Sequence, residues 1–249
     1  MDLTRLAASG SISPSEAASE LRLGDMAPPD RPYLVLNMVS TADGKATIEG
    51  RTGAIGNEAD RQLFNHLRTQ ADAVMAGSRT VAIERYGRIV RDPALRETRR
   101  REGLEPDPLA CLVSGRLALP GDVPLLQDPH SRVVIVTSSL DELPGCAARV
   151  EYLRLEPGTR QLAPALRRLR SDHGVRSVLC EGGPTLNSTL LREGLVDELF
   201  LSLAPKLVGG SRGPTIGAGE EGLLGTVELD LLSSLEAQGH LFLRYRVRR

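Results

Sequence analysis

The stretch from Val175 to Gly210, VRSVLCEGGPTLNSTLLREGLVDELFLSLAPKLVGG, restricts the fold more than any other part of the chain. It opens on a short apolar run rich in β-branched residues, Val175 to Cys180, which has the length and composition of a buried strand. Gly182-Gly183-Pro184 then turns the chain into a helix over about Thr185 to Glu193. Pro184 suits the first helical position and Gly194 the stop. A second apolar run, Leu199 to Ala204, follows. Strand, helix and strand in that order make a right-handed βαβ unit with two parallel strands. In open sheets of this kind, ligands lie beyond the carboxyl ends of the strands. Glu181 stands at such an end, beside two residues without side chains and a helix N-terminus whose free N–H groups suit a phosphate. The same turn also serves as a plain tight connection, and it is not a GxGxxG fingerprint.

The flanking segments extend this pattern. Residues 1–31 read as an N-terminal arm, in which Ser13-Pro14-Ser15-Glu16 starts a short helix to about Leu23 and Pro28-Pro29 ends it. Residues 32–249 read as one domain. Tyr33 to Ser40, which includes Asn37 and Val39, is a central strand. The loop system after it holds Asp43, Lys45, Thr52, Ala54, Ile55 and Asn57 among four glycines, a density that suits a binding loop. Asn57 caps a helix over about Glu58 to Gln70, and Arg68 near its end is either a surface residue favourable to the helix dipole or a site residue. A third strand to Ala76 runs into Gly77-Ser78-Arg79-Thr80, a second candidate phosphate cradle or an ordinary cap. Residues 84–108, which begin at Glu84 and carry Arg99-Arg100-Arg101, read as a mobile, solvated surface segment.

Leu109 to Val113 and Arg132 to Thr137 are further strands, and the first ends in Ser114-Gly115-Arg116, a hydroxyl and a cation suited to the 2′-phosphate of NADP. A strand over Val150 to Leu155, a helix over Gln161 to His173, and an antiparallel pair near Val227 to Leu232 and His240 to Val247 complete the expectation. Together these describe an α/β domain with a mixed, mostly parallel sheet.

Composition excludes several functions. A net charge of −1 gives no electrostatic footprint for nucleic acid or an anionic membrane. With 3% aromatic residues and no Trp there is no base-stacking platform. Three cysteines lack paired spacing and four histidines lack ligand spacing, so no structural metal and a reducing, cytoplasmic setting are expected. No apolar run is long enough to span a membrane. Of 31 basic residues only Lys45 and Lys206 are Lys, and Lys45 sits in the most motif-like loop of the N-terminal half.

NMVSTADGK (37–45), AGSRTV (76–81) and above all CEGGPTLNSTLLREGLVDELFLSLAPKLVGG (180–210) resemble the reductase domain of riboflavin biosynthesis, the RibD C-terminal or pyrimidine reductase family. The resemblance covers roughly residues 32 to 247 and implies a dihydrofolate reductase-like three-layer fold, NADPH as cofactor and a homodimer. It implies cofactor contacts at Val39, Ala54, Ile55, Gly77, Ser78, Arg79, Thr80, Glu84, Ser114, Arg116, Gly182, Gly183, Pro184 and Thr185. It implies substrate contacts at Asn37, Thr52, Arg68 and Glu181, and catalytic roles for Lys45, Glu181 and Asp43. The implied reaction reduces the ribosyl group of a ribosylamino-pyrimidine phosphate to ribityl. A zinc deaminase pattern is missing, so a stand-alone reductase is expected. Residues 84–88 depart from the acidic-acidic-Pro run of the biosynthetic enzymes. That departure leaves a pterin reductase as an alternative, beside an inactive NADPH-binding sensor.

Overall fold

The computed structural model describes residues 10–156, 161–210, 213–217, 223 and 225–248. Its described elements follow one another as α1 (Pro14–Ser19), β1 (Tyr33–Thr41), α2 (Glu58–Thr69), β2 (Ala73–Gly77), α3 (Ser78–Ile83), α4 (Pro93–Arg101), β3 (Leu109–Val113), α5 (Pro124–Gln127) and β4 (Arg132–Thr137). Then come β5 (Arg149–Arg154), α6 (Ala163–His173), β6 (Ser177–Cys180), α7 (Pro184–Arg192), β7 (Glu198–Ala204), β8 (Leu229–Ala237) and β9 (His240–Val247).

The strands form one sheet in the order β5-β4-β3-β2-β6-β1-β7-β9-β8. Neighbours from β5 to β7 pair in parallel, whereas β9 pairs antiparallel to β7 and β8 antiparallel to β9. The expected mixed, mostly parallel sheet with a C-terminal antiparallel pair is therefore present. β6 and β7 are parallel, as the βαβ reading requires, but β1 lies between them.

Two helical layers cover the sheet. On one face Val35, Val74, Leu112 and Ile135 pack with Leu67 of α2, Val81 of α3 and Leu125 and Leu126 of α5. On the other, Leu34, Met75, Cys111 and Val134 pack with Leu166 and Leu169 of α6 and Leu190 of α7. Strands buried on both faces read as continuous apolar runs because neither face meets water. Local chemistry sets the helix ends. Ser13 and Glu16 form a capping box on α1, and Asn57 accepts from the Asp60 N–H at the start of α2. Gly174 closes α6 in the left-handed conformation at φ +66°.

The segment 84–108 is exposed or half-buried over most of its length, as its charge suggests, but it is also ordered in part and sends one arginine inward. It contains α4, and Arg99 within it is only 1% exposed. The Arg99 guanidinium donates to the carbonyls of Arg68, Thr69, Ala71 and Glu105 at 2.7–3.0 Å. Helix α2 ends with carbonyls that lack intrahelical donors, and a buried cation satisfies them. Burial lowers the Arg99 pKa to about 10, with nearby carboxylates opposing the shift. The N-terminal helix is also shorter than expected: α1 stops at Ser19, and a separate 3-10 turn covers Leu23–Met26.

Candidate active site

A cavity of about 590 Å³ opens at the carboxyl ends of the parallel strands. Met38 of β1, Gly77 of β2, Val113 of β3, Val136 and Thr137 of β4, and Glu181 after β6 all line it. This is the position that strand polarity assigns to ligands.

Two strand-to-helix turns meet in the wall. The Gly77 N–H donates to the Gly182 carbonyl at 2.7 Å, so the end of β2 is hydrogen-bonded to the turn after β6. Gly182 has φ +88°, a conformation that favours glycine, and the Gly182–Gly183 peptide is cis. A Cβ at Gly183 would stand 2.6 Å from Thr80 Oγ1, so a side chain there would collide with the first turn of α3. Gly183 is also the N-cap of α7 and supplies no side-chain acceptor, which leaves the N–H groups of that turn uncapped by a side chain.

Glu181 is 8% exposed and lies at the inner wall. Arg68 Nε donates to its Oε1 and Arg68 Nη2 to its Oε2, each at 2.7 Å, while the Tyr86 hydroxyl donates to Oε2 at 2.6 Å. Arg68 is in turn held by the Ile89 carbonyl at 2.9 Å, and its guanidinium carbon lies 4.2 Å from the Phe64 ring centre and 5.5 Å from that of Tyr86. Burial opposes the Arg68 charge, but Glu181 outweighs it and raises the pKa above the ordinary arginine value. Burial, reinforced by the Glu181 charge, pushes the Tyr86 phenol well above its ordinary value. At the mouth, the Thr52 N–H and hydroxyl donate to Glu84 Oε1 at 3.1 and 3.0 Å.

Of the residues expected at the site, Thr52, Gly77, Ser78, Arg79, Thr80, Glu84, Ser114, Glu181, Gly183, Pro184 and Thr185 line this cavity. Arg116 and Gly182 adjoin it on the same turns without forming its wall. Arg68 lies behind Glu181 and reaches the cavity only through that carboxylate. Asn37 borders a separate cavity of about 160 Å³ with Leu63, Phe200 and Arg244. Strand parity explains the difference: Met38 turns to the large cavity, so Asn37 and Val39 turn to the other face.

The loop residues are placed differently from expectation. Asp43 does not face the cavity. It accepts from Thr41 Oγ1 at 2.6 Å and from the Gly209 N–H at 2.6 Å, tying two loops together. These bonds, the Thr41 hydroxyl foremost, depress its pKa to about 2. Lys45 is also outside the wall, with its Cδ alongside Gly213, whereas its neighbours Ala46 and Thr47 line the cavity. Ala54 and Ile55 offer their carbonyls to Lys206 Nζ at 2.7 and 3.0 Å, so those backbone groups already have donors.

Residues 32–242 match the family model of the RibD C-terminal domain. The chain belongs to that family. The 2,5-diamino-6-ribosylamino-4(3H)-pyrimidinone 5′-phosphate reductase of Archaeoglobus fulgidus is 33% identical over 193 residues, which covers 76% of this chain and 88% of that protein. The protein of the same name from Methanothermobacter thermautotrophicus is 30% identical over 222 residues, covering 88% and 99%. A pyrimidine reductase-like protein of Corynebacterium diphtheriae superposes with a TM-score of 0.80 over 96% of this chain and 100% of its own. At 23% identity that likeness speaks for the fold. Among the described residues no helix is long and apolar enough to cross a membrane.

Proposed function

We propose that this chain is an NADPH-dependent reductase that converts the ribosylamino side chain of a pyrimidine 5′-phosphate into its ribitylamino form. The observation that carries the reading is one cavity joining the Gly183–Thr185 turn, the Ser78–Thr80 turn and Glu181. Position 183 fits a phosphate because a Cβ there would fill the space beside Thr80. Gly183, Pro184 and Thr185, with Ser78, Arg79 and Thr80, are assigned to the pyrophosphate of NADPH, and Ser114 with Arg116 to its 2′-phosphate. Val39, Ala54 and Ile55 are assigned to the nicotinamide end through their backbone.

When bound, the reduced nicotinamide supplies a hydride for C1′ of the ring-opened sugar imine, whose nitrogen takes a proton from solvent. The chain supplies placement. Glu181 accepts a hydrogen bond from a ring N–H of the pyrimidine and so fixes the ring against the cofactor turn. Met38 and Leu186 give the wall an apolar surface that limits water beside the reacting carbon. Lys45, on the loop whose Ala46 and Thr47 line the cavity, is assigned to the ribose hydroxyls. The reading includes a cytoplasmic location and a homodimer, for which the exposed Leu229, Leu231 and Leu241 offer apolar surface.

Purified protein mixed with NADPH and a ribosylaminopyrimidine phosphate is expected to oxidise NADPH in step with ribityl product. NADPH binding without any turnover of that substrate would replace the reductase with a nucleotide-binding sensor.

A further inference from the structure

Strands β1 and β7 run parallel and end at the same level of the sheet, with Thr41 paired to Ala204. The segments that leave them therefore start side by side at the carboxyl edge. After β7 the chain makes a tight turn across Pro205, in which the Lys206 N–H donates to the Ala204 carbonyl at 2.8 Å. This sets Lys206 beside the start of the loop 42–55, and its carbonyl accepts from the Ala42 N–H at 2.9 Å. The far end of the loop returns to the same residue. Lys206 Nζ donates to the Ala54 carbonyl at 2.7 Å and to the Ile55 carbonyl at 3.0 Å. An ammonium is a compact charge with three donors, so it serves two adjacent carbonyls at once. Ile55 is fully buried, and His240 Nε2 stands 3.3 Å from its carbonyl. Between the two tethered ends, Ala46, Thr47, Gly50 and Thr52 line the large cavity.

We propose that Lys206 is a positioning residue that clamps both ends of the cavity loop, its backbone at Ala42 and its ammonium at Ala54 and Ile55. Lys206 is not part of the cavity wall and acts on the ligands only through the loop. A loop held at both ends samples fewer conformations, so its middle presents one surface to the ligands. Without the ammonium, the Ala54 and Ile55 carbonyls turn to water and the wall between them and Ala42 loosens. A misplacement of about 1 Å at such a wall costs up to a hundred-fold in rate. The clamp stands on the geometry, whereas its effect on turnover rests on the proposed function.

The test uses two variants whose folding is checked by circular dichroism. Lys206→Met keeps the backbone bond to Ala42 and removes the ammonium. Lys206→Cys does the same, and treatment with 2-bromoethylamine then restores an ammonium at nearly the same reach, with the treated parent as control. Hydrogen exchange followed by mass spectrometry reads the loop directly, because the Ile48, Arg51 and Ile55 amides are bonded within it at 2.9–3.0 Å. In both variants, exchange over residues 46–56 is expected to quicken about ten-fold or more. Exchange in β2 and β3 should stay as in the parent, and the melting temperature within about 3 °C of it. The kcat/KM for NADPH and the ribosylaminopyrimidine phosphate is expected to fall about ten-fold or more, and aminoethylation of the Cys variant to recover most of both losses. Unchanged loop exchange, a loosened loop with kcat/KM within two-fold of the parent, or no recovery on aminoethylation overturns the proposal. So does failure of both variants to fold, which would make Lys206 a fastening of the fold. A parent that reduces no ribosylaminopyrimidine phosphate would refute the reductase reading instead, and loop exchange with NADPH affinity would then judge the clamp.

Discussion

Two buried arginine–carboxylate forks stand at opposite edges of the same sheet. Glu181 follows β6 and is gripped by Arg68, whereas Asp197 precedes β7 and is gripped by Arg31 through two bonds of 2.8 Å. Both acids are 8% exposed. At the amino edge, Asp197 also accepts from the Leu34 N–H at 2.8 Å, so the fork ties β7 to β1 inside the packed layers. At the carboxyl edge, the turns after the parallel strands diverge, and Glu181 borders a cavity instead of backbone. The same pair of residue types is a fastening at one edge and a recognition group at the other. Strand polarity, through the space it leaves, separates the two roles.

The comparison breaks most readily at Asp197. Asp197→Ala leaves the Arg31 charge buried without its partner and is expected to destabilise the fold by about 3–5 kcal/mol in urea unfolding. The kcat of the protein that remains folded should stay within about two-fold of the parent, the small effect expected of a substitution that touches neither substrate nor cofactor. A parallel collapse of kcat would erase the distinction between the edges.

Glu181→Gln tests the other edge. It keeps an oxygen for Arg68 but removes the charge, and kcat/KM is expected to fall about a hundred-fold with a smaller loss of stability than Asp197→Ala. Unchanged turnover would reduce Glu181 to a second fastening. Gly183→Ala sharpens the picture beside it. The added Cβ meets Thr80 Oγ1 at 2.6 Å, and NADPH affinity is expected to drop about ten-fold. Adding Thr80→Ala should restore part of that loss in a double-mutant cycle if the clash is the cause.

The smallest effect belongs to Asp43, an exposed carboxylate on the outer loops. Its folded-state pKa of about 2 lies below the ordinary aspartate value of 3.8. Its contribution to stability is therefore present above about pH 4 and fades as the pH falls towards 2. Urea midpoints of the parent should decline over that window slightly more than those of Asp43→Asn. Identical slopes would mean that the Thr41 and Gly209 bonds add nothing to the fold.

Much of the architecture was legible in the residues. Local rules place the strand ends, the Gly182–Gly183 turn, the Asn57 cap and the Gly174 stop, because each reflects a demand of the nearby backbone. The charge of residues 84–108 matched their largely solvated surface, but charge density does not show that Arg99 would be drawn inward to unsatisfied carbonyls at the end of α2. Asp43 looked like a candidate catalytic acid, and Lys206 was given no role. The fold spends the first on Gly209 and the second on Ala54 and Ile55.

By itself, then, the sequence determined a parallel α/β sheet with glycine turns at strand ends and an acid beside one of them. Those features follow from periodicity and backbone sterics over a few neighbouring residues. Only the tertiary structure decided that β1 would lie between β6 and β7, that Met38 and not Asn37 would face the cavity, and that Arg68 and Tyr86 would meet Glu181. Those partners lie 113 and 95 residues away along the chain. No local rule reaches so far, and it is packing of the sheet against its helices that brings such groups within hydrogen-bonding distance.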